Sequence, residues 1–147
     1  MADRTESSIV VDAGPDEVLD VICDFEAYPE WIGAVRETEV LADDEDGNAS
    51  QVRFVLDAGA LRDTYTLQYE WDVDDDGQGL VSWSLVEATI LKAMDGSYRL
   101  RRTGPGTEVT YTLAVEVRMP MLGMLRRKAE KAIIETALTE LKKRVEG

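Results

Sequence analysis

The chain has no histidine and one cysteine, Cys23, in 147 residues. A Ser-His-Asp triad, a Cys-His dyad and a Cys/His zinc cluster are therefore closed to a single copy, and one cysteine leaves no intrachain disulfide. Nothing approaches the roughly 18 apolar residues of a membrane-spanning helix, and Met1 to Thr5 is polar and charged rather than a secretory signal. The expected location is the cytoplasm, and a free thiol agrees with a reducing compartment. Basic residues are scarce: 16 Lys and Arg face 30 Asp and Glu, a formal net charge of −14 that repels nucleic-acid phosphates and argues against nucleic acid as a partner. Much of the acidity sits in Asp43-Asp44-Glu45-Asp46-Gly47 and Asp74-Asp75-Asp76-Gly77. Neither run continues into the glutamate-terminated loop of an EF-hand, so both read as solvated turns, and no metal or cofactor is called for.

What is present fits one domain spanning residues 1–147, long enough to bury a core of its own. Gly14-Pro15-Asp16-Glu17 opens a helix, with proline at the first helical position and carboxylates at the positive end of the macrodipole. Val18, Val21, Ile22 and Phe25 give it one apolar face, on which Cys23 is expected as a small buried hydrophobe. Pro29 ends or bends this helix before a second short one reaches Trp31. Three rings, Phe25, Tyr28 and Trp31, thus crowd into Asp24 to Trp31, which reads as a lid at one end of an apolar space.

The pattern then turns to alternation, expected as antiparallel strands joined by Asp/Gly turns. A first strand covers roughly Ser7 to Asp12 and a second roughly Val35 to Leu41. Inward parity then falls on Val52, Phe54 and Leu56; on Tyr65, Leu67, Tyr69 and Trp71; on Val81, Trp83 and Leu85; on Tyr98 and Leu100; and on Val109, Tyr111, Leu113, Val115 and Val117. Thr64, Thr66, Gln68 and Glu70 should face water. Between Trp83 and Leu100, Ala88 to Ala93 is favoured over Asp95-Gly96 as the connection. A helix from about Pro120 to Val145 carries Leu122, Leu125, Ala129, Ile133, Ala137 and Leu141 in a stripe, and its many basic residues read as a solvated outer face with local ion pairs.

This order resembles the helix-grip fold of the START-like (SRPBCC) superfamily, in particular the bacterial polyketide cyclase/dehydrase and lipid transport branch. The specific marks are Ser8 to Val18 running into Asp24 to Trp31; Asp95-Gly96-Ser97-Tyr98-Arg99-Leu100 and Gly106-Thr107-Glu108-Val109-Thr110-Tyr111 support them. The resemblance implies an α+β fold in which a curved seven-stranded antiparallel sheet wraps a long C-terminal helix, with two short helices between strands 1 and 2. It also implies an elongated apolar cavity between sheet and helix.

The expected ligand-binding residues are Trp31, Phe54, Tyr65, Tyr69, Trp83, Tyr98, Tyr111, Met121, Leu125, Ala129 and Ile133. Ionisable groups at inward parity are only Asp63 and Glu87, each either in solvent at a strand end or, if buried, a general acid or base. Arg53, Arg99 and Arg101 fall on the opposite parity, against a buried arginine clamp. Met119 to Leu125 followed by Arg126-Arg127-Lys128 reads either as a plug for the core or as an apolar gate in transient contact with a membrane. The favoured function is a non-catalytic carrier or sensor for a hydrophobic small molecule or lipid, acting as a monomer or weak homodimer. Alternatives are a polyketide cyclase, aromatase or dehydratase, and a protein-interaction module using the Met-rich gate and basic helix face.

Overall fold

A computed structural model describes residues 4–57, 62–118 and 123–147. The alternating segments form seven antiparallel strands: β1 (Thr5–Val11), β2 (Val35–Asp43), β3 (Ala49–Asp57), β4 (Arg62–Val73), β5 (Gly79–Ala88), β6 (Leu91–Thr103) and β7 (Gly106–Val117). They lie in one sheet in the order β1-β7-β6-β5-β4-β3-β2, so every neighbour is sequential except the β1/β7 pair. The first and second strands consequently occupy opposite edges. The residues between them form α1 (Pro15–Cys23), a 3-10 turn (Phe25–Ala27) and α2 (Tyr28–Trp31), which carry the chain from one edge to the other.

Two turns of the same design explain the acidic runs. The Asp44 carboxylate accepts from the backbone N–H groups of Asp46 and Asn48 at 2.9 and 3.0 Å, and that of Asp74 accepts from Asp76 and Gln78 at 2.9 and 3.0 Å. Gly47 and Gly77 follow at φ of 85° and 87°, a conformation that favours glycine. The second turn packs under α1, where a Cβ on Gly77 would stand 2.7 Å from the Asp16 backbone nitrogen.

The connection favoured between β5 and β6 is in the right region but shorter than expected: it is only Thr89-Ile90, and Asp95-Gly96 lies inside β6. The expected alternation holds along the inward face, where Phe54, Tyr65, Tyr69, Trp83, Tyr98 and Tyr111 are all buried. Thr66 departs from it, being 4 % exposed rather than facing water, where the β4–β5 register shifts. Arg53 and Arg101 pair with the carboxylates of Glu39 and Glu108 at 3.1 and 2.8 Å, on the face away from the rings.

The C-terminal helix, α3 (Gly123–Glu146), divides in two. In its second half Ile134, Ala137, Leu138 and Leu141 are buried, and Lys142 Nζ donates to the Val10 carbonyl at 2.8 Å, fixing that half to the β1 edge. Its first half stands off the sheet, with Leu125 53 % exposed. Between them is Glu130, 1 % exposed, whose carboxylate accepts from the Val115 N–H at 2.6 Å and from the Thr5 hydroxyl at 2.7 Å. Val115 lies beyond Leu113, the last β7 residue partnered by β1 among the described residues. Glu130 therefore satisfies a backbone donor past the end of that ladder, and the charge-assisted pair sets the position of α3.

Candidate functional site

A cavity of about 520 Å³ separates the inward face of the sheet from α3. Phe54, Tyr65, Tyr69, Trp83, Tyr98 and Tyr111 form the sheet wall, and Tyr28 with Ile32 and Val35 closes the end beside α2. The helix wall is made of small or short side chains, Ala129, Ala132, Thr136 and Ala137, with Leu125, Lys128 and Ile133. Small residues at the spacing of one helix face keep the volume open, because longer ones would reach the rings opposite.

The rings hold one another in place. Phe54 stacks on Tyr65 at 5.5 Å between centroids, Trp83 meets Tyr111 edge-on at 5.5 Å, and Tyr98 lies 4.7 Å from Tyr111. Such contacts contribute about 0.5–1.5 kcal/mol each beyond the area they bury. Trp83 lies against its cross-strand partner Gly96, where a Cβ would come within 2.5 Å of the indole. The missing side chain on β6 thus lets the indole lie flat on the sheet and leaves the cavity free.

The Tyr28 hydroxyl donates to the Ile22 carbonyl, tying α2 to α1. Tyr65, Tyr69, Tyr98 and Tyr111 make no hydrogen bond through their hydroxyls among the described residues. Burial pushes all of these phenols upward from their ordinary value of 10.0, and neighbouring phenols add to the effect at Tyr28, Tyr65, Tyr69 and Tyr98. They are neutral hydroxyls, able to donate or accept a hydrogen bond but not placed to act as phenolate bases.

Nine of the expected lining residues, Phe54, Tyr65, Tyr69, Trp83, Tyr98, Tyr111, Leu125, Ala129 and Ile133, come together on this wall. Trp31 does not line it. Its indole is buried behind Tyr28, which it meets edge-on at 5.1 Å, and its Nε1 has no hydrogen-bond partner among the described residues. Met121, and with it most of the Met-rich segment, lies outside the described residues. Tyr28, Met94, Lys128 and Thr136 were missing from the expected set. Lys128 and Thr136 continue the stripe of Leu125 and Ala132 at helical spacing, but polar side chains there read as solvent-facing.

Neither carboxylate considered for proton transfer reaches the cavity. Asp63 is buried, but its Oδ1 accepts from the N–H groups of Thr64 and Thr89 at 2.8 and 3.1 Å, and its Oδ2 from Ile90 and Leu91 at 2.9 and 2.8 Å. It organises the Thr89-Ile90 turn. Glu87 is displaced by a bulge: Leu67 pairs with Leu85 but Thr66 pairs with Glu87, so Val86 is extra and Glu87 lands on the outer face, exposed. Cys23 is exposed at the end of α1 rather than buried, yet desolvation of its thiol and the Asp20 carboxylate raise its pKa to about 11. An unreactive thiol results. Among the described residues no helix is long and apolar enough to cross a membrane.

Solved structures share this architecture at low identity. A START superfamily protein from Mycobacterium smegmatis matches with a TM-score of 0.89 and 22% identity over 97% of each chain. A protein from Thermus thermophilus matches at 0.79 and 23%, again over 97% of each chain. The Zhui aromatase/cyclase from Streptomyces sp. R1128 matches at 0.78 and 19%, over 99% of this chain and 94% of that one. The seven-stranded sheet and long terminal helix are thus the helix-grip fold of the START-like superfamily. The model of the family described as polyketide cyclase / dehydrase and lipid transport matches residues 2–146, and the chain belongs to that family.

Proposed function

We propose that the protein is a non-catalytic carrier or sensor that binds a hydrophobic small molecule or lipid between the sheet and the first half of α3. The observation that carries this reading is a ring-lined cavity whose wall, among the described residues, has no carboxylate, imidazole or thiol and offers no protein partner to the Tyr65, Tyr69, Tyr98 and Tyr111 hydroxyls. The volume of about 520 Å³ falls within the range of about 300–1,000 Å³ usual for small-molecule pockets. Apolar walls supply affinity through burial, and unpartnered hydroxyls select a ligand carrying oxygen atoms.

Native mass spectrometry of gently purified protein, with displacement of a fluorescent hydrophobic probe, tests the proposal. Retained or displaceable ligand is expected, and Ala129→Trp, which puts an indole into the cavity, should abolish binding without loss of the far-UV circular dichroism. Probe binding that survives this substitution counts against the cavity as the site.

A second reading is a cyclase, aromatase or dehydratase that works by positioning. Neutral tyrosine hydroxyls could hold the carbonyls of a flexible chain in a reactive fold, and orientation alone can lower a barrier by about 7–11 kcal/mol in favourable cases. One structural neighbour is an aromatase/cyclase. Under this reading Tyr→Phe changes at Tyr65, Tyr69, Tyr98 or Tyr111 reduce turnover of a polyketide substrate, while Glu87→Gln leaves it unchanged.

A further inference from the structure

Four lysines lie on α3: Lys128, Lys131, Lys142 and Lys143. Three have a carboxylate one turn away, Lys131 with Glu135 at 3.9 Å, Lys142 with Glu146 at 2.6 Å and Lys143 with Glu140 at 3.8 Å. Lys128 has none. The residues three and four positions from it are Met124, Leu125, Lys131 and Ala132, so its own helix face offers no anion, and it makes no ion pair among the described residues.

The Lys128 side chain also lines the cavity, where Lys128 is the only formally charged residue among the described residues of the wall. It sits at the exposed end, beside Leu125, while the neutral tyrosines occupy the buried sheet wall. The polarity of the site is therefore graded, cationic at the helix and neutral with hydrogen-bonding hydroxyls within. In a chain of net charge −14, a lysine kept free of carboxylates at a pocket is a feature that discriminates among ligands.

We propose that the ligand is an amphipathic carboxylic acid whose carboxylate is held by Lys128 and whose apolar body lies along the rings. The assignment rests on the binding function proposed above and adds the head-group chemistry and orientation to it. Because Lys128 is exposed, its contribution is that of a screened charge-assisted hydrogen bond. A preference of about five- to tenfold for acid over uncharged analogue is the expected size.

Two matched pairs test it by fluorescence titration at pH 7.5: a polyene fatty acid with the corresponding alcohol, and pyrenebutyric acid with pyrenebutanol. Wild type should bind at least one acid about five- to tenfold more tightly than its alcohol. Lys128→Gln should remove that preference by weakening the acid alone, leaving the alcohol within about twofold, whereas Lys131→Gln on the outer face should keep it. Equal binding of acid and alcohol by wild type, or an unchanged preference in Lys128→Gln, overturns the carboxylate assignment and leaves the binding function standing. Binding of no probe in either pair overturns both.

Discussion

Raising the pH tests how strongly burial holds the phenols of the tyrosine wall in their neutral form. All five tyrosines of the chain, Tyr28, Tyr65, Tyr69, Tyr98 and Tyr111, are 5–7% exposed, and burial raises each phenol above 10.0 in the folded state. A group raised in this way contributes stability that is fully present below its unfolded pKa and is lost as the pH climbs toward the folded one. Stability should therefore be flat in this respect up to about pH 9.5 and fall above pH 10. Each unfolded phenol that ionises freely while its folded counterpart does not costs the folded state about 0.8 kcal/mol at pH 10.5 and about 1.4 kcal/mol at pH 11. Five together cost about 4 and about 7 kcal/mol, comparable with the usual 5–15 kcal/mol of a domain. Unfolding should thus set in near pH 10.5–11.5. Repulsion within the acidic chain pushes the midpoint the same way. The decisive readout is therefore coincidence: phenolate absorbance at 295 nm should rise in one cooperative step together with loss of circular dichroism at 222 nm. Two or more tyrosines titrating reversibly near pH 10 with the circular dichroism intact would refute the reasoning and mean that the phenols ionise within the fold.

Asp63→Asn and Asp63→Ala should both destabilise by about 3–4 kcal/mol in urea unfolding, because four backbone donors lose a charged acceptor and the buried Leu91 N–H cannot turn to water. Asn should fare no better than Ala, since its NH₂ faces either the Thr64 and Thr89 donors or the Ile90 and Leu91 donors; a loss under about 1 kcal/mol contradicts the turn-holding role. Gly96→Ala drives a methyl to within 2.5 Å of the Trp83 indole, which must swing into the cavity. Hydrophobic-probe affinity should drop by at least tenfold and stability by about 1–3 kcal/mol; unchanged affinity would mean that the indole has another way out. Trp31→Ala should cost about 3–5 kcal/mol with a smaller effect on probe affinity, since Trp31 braces Tyr28 from behind. Trp31→Phe keeps a ring there and removes the buried, unpartnered Nε1, so its stability should match or exceed wild type.

The sequence by itself determined the order of elements, the turn chemistry and the side of the sheet on which the rings stand. These are local: period-two alternation, a Pro at a helix start, and Asp with Gly around each acidic turn are all readable within ten residues. Missing histidine likewise excluded whole classes of catalysis before any fold was considered. Only the tertiary structure decided what the polar residues do, because each decision depends on partners distant in sequence. One extra residue at Val86 turns Glu87 outward, which parity counted along the strand cannot register. Asp63 is engaged by donors 26 to 28 positions away, and Glu130 by the N–H of a strand residue 15 positions away. The cavity is open because Ala129, Ala132 and Ala137 stand opposite the ring-lined strands at a height fixed by the buried second half of α3. Alternation alone is equally consistent with a solid aromatic core. Whether rings meet one another or enclose a space depends on the distance between sheet and helix, and that distance is set by the packing of both.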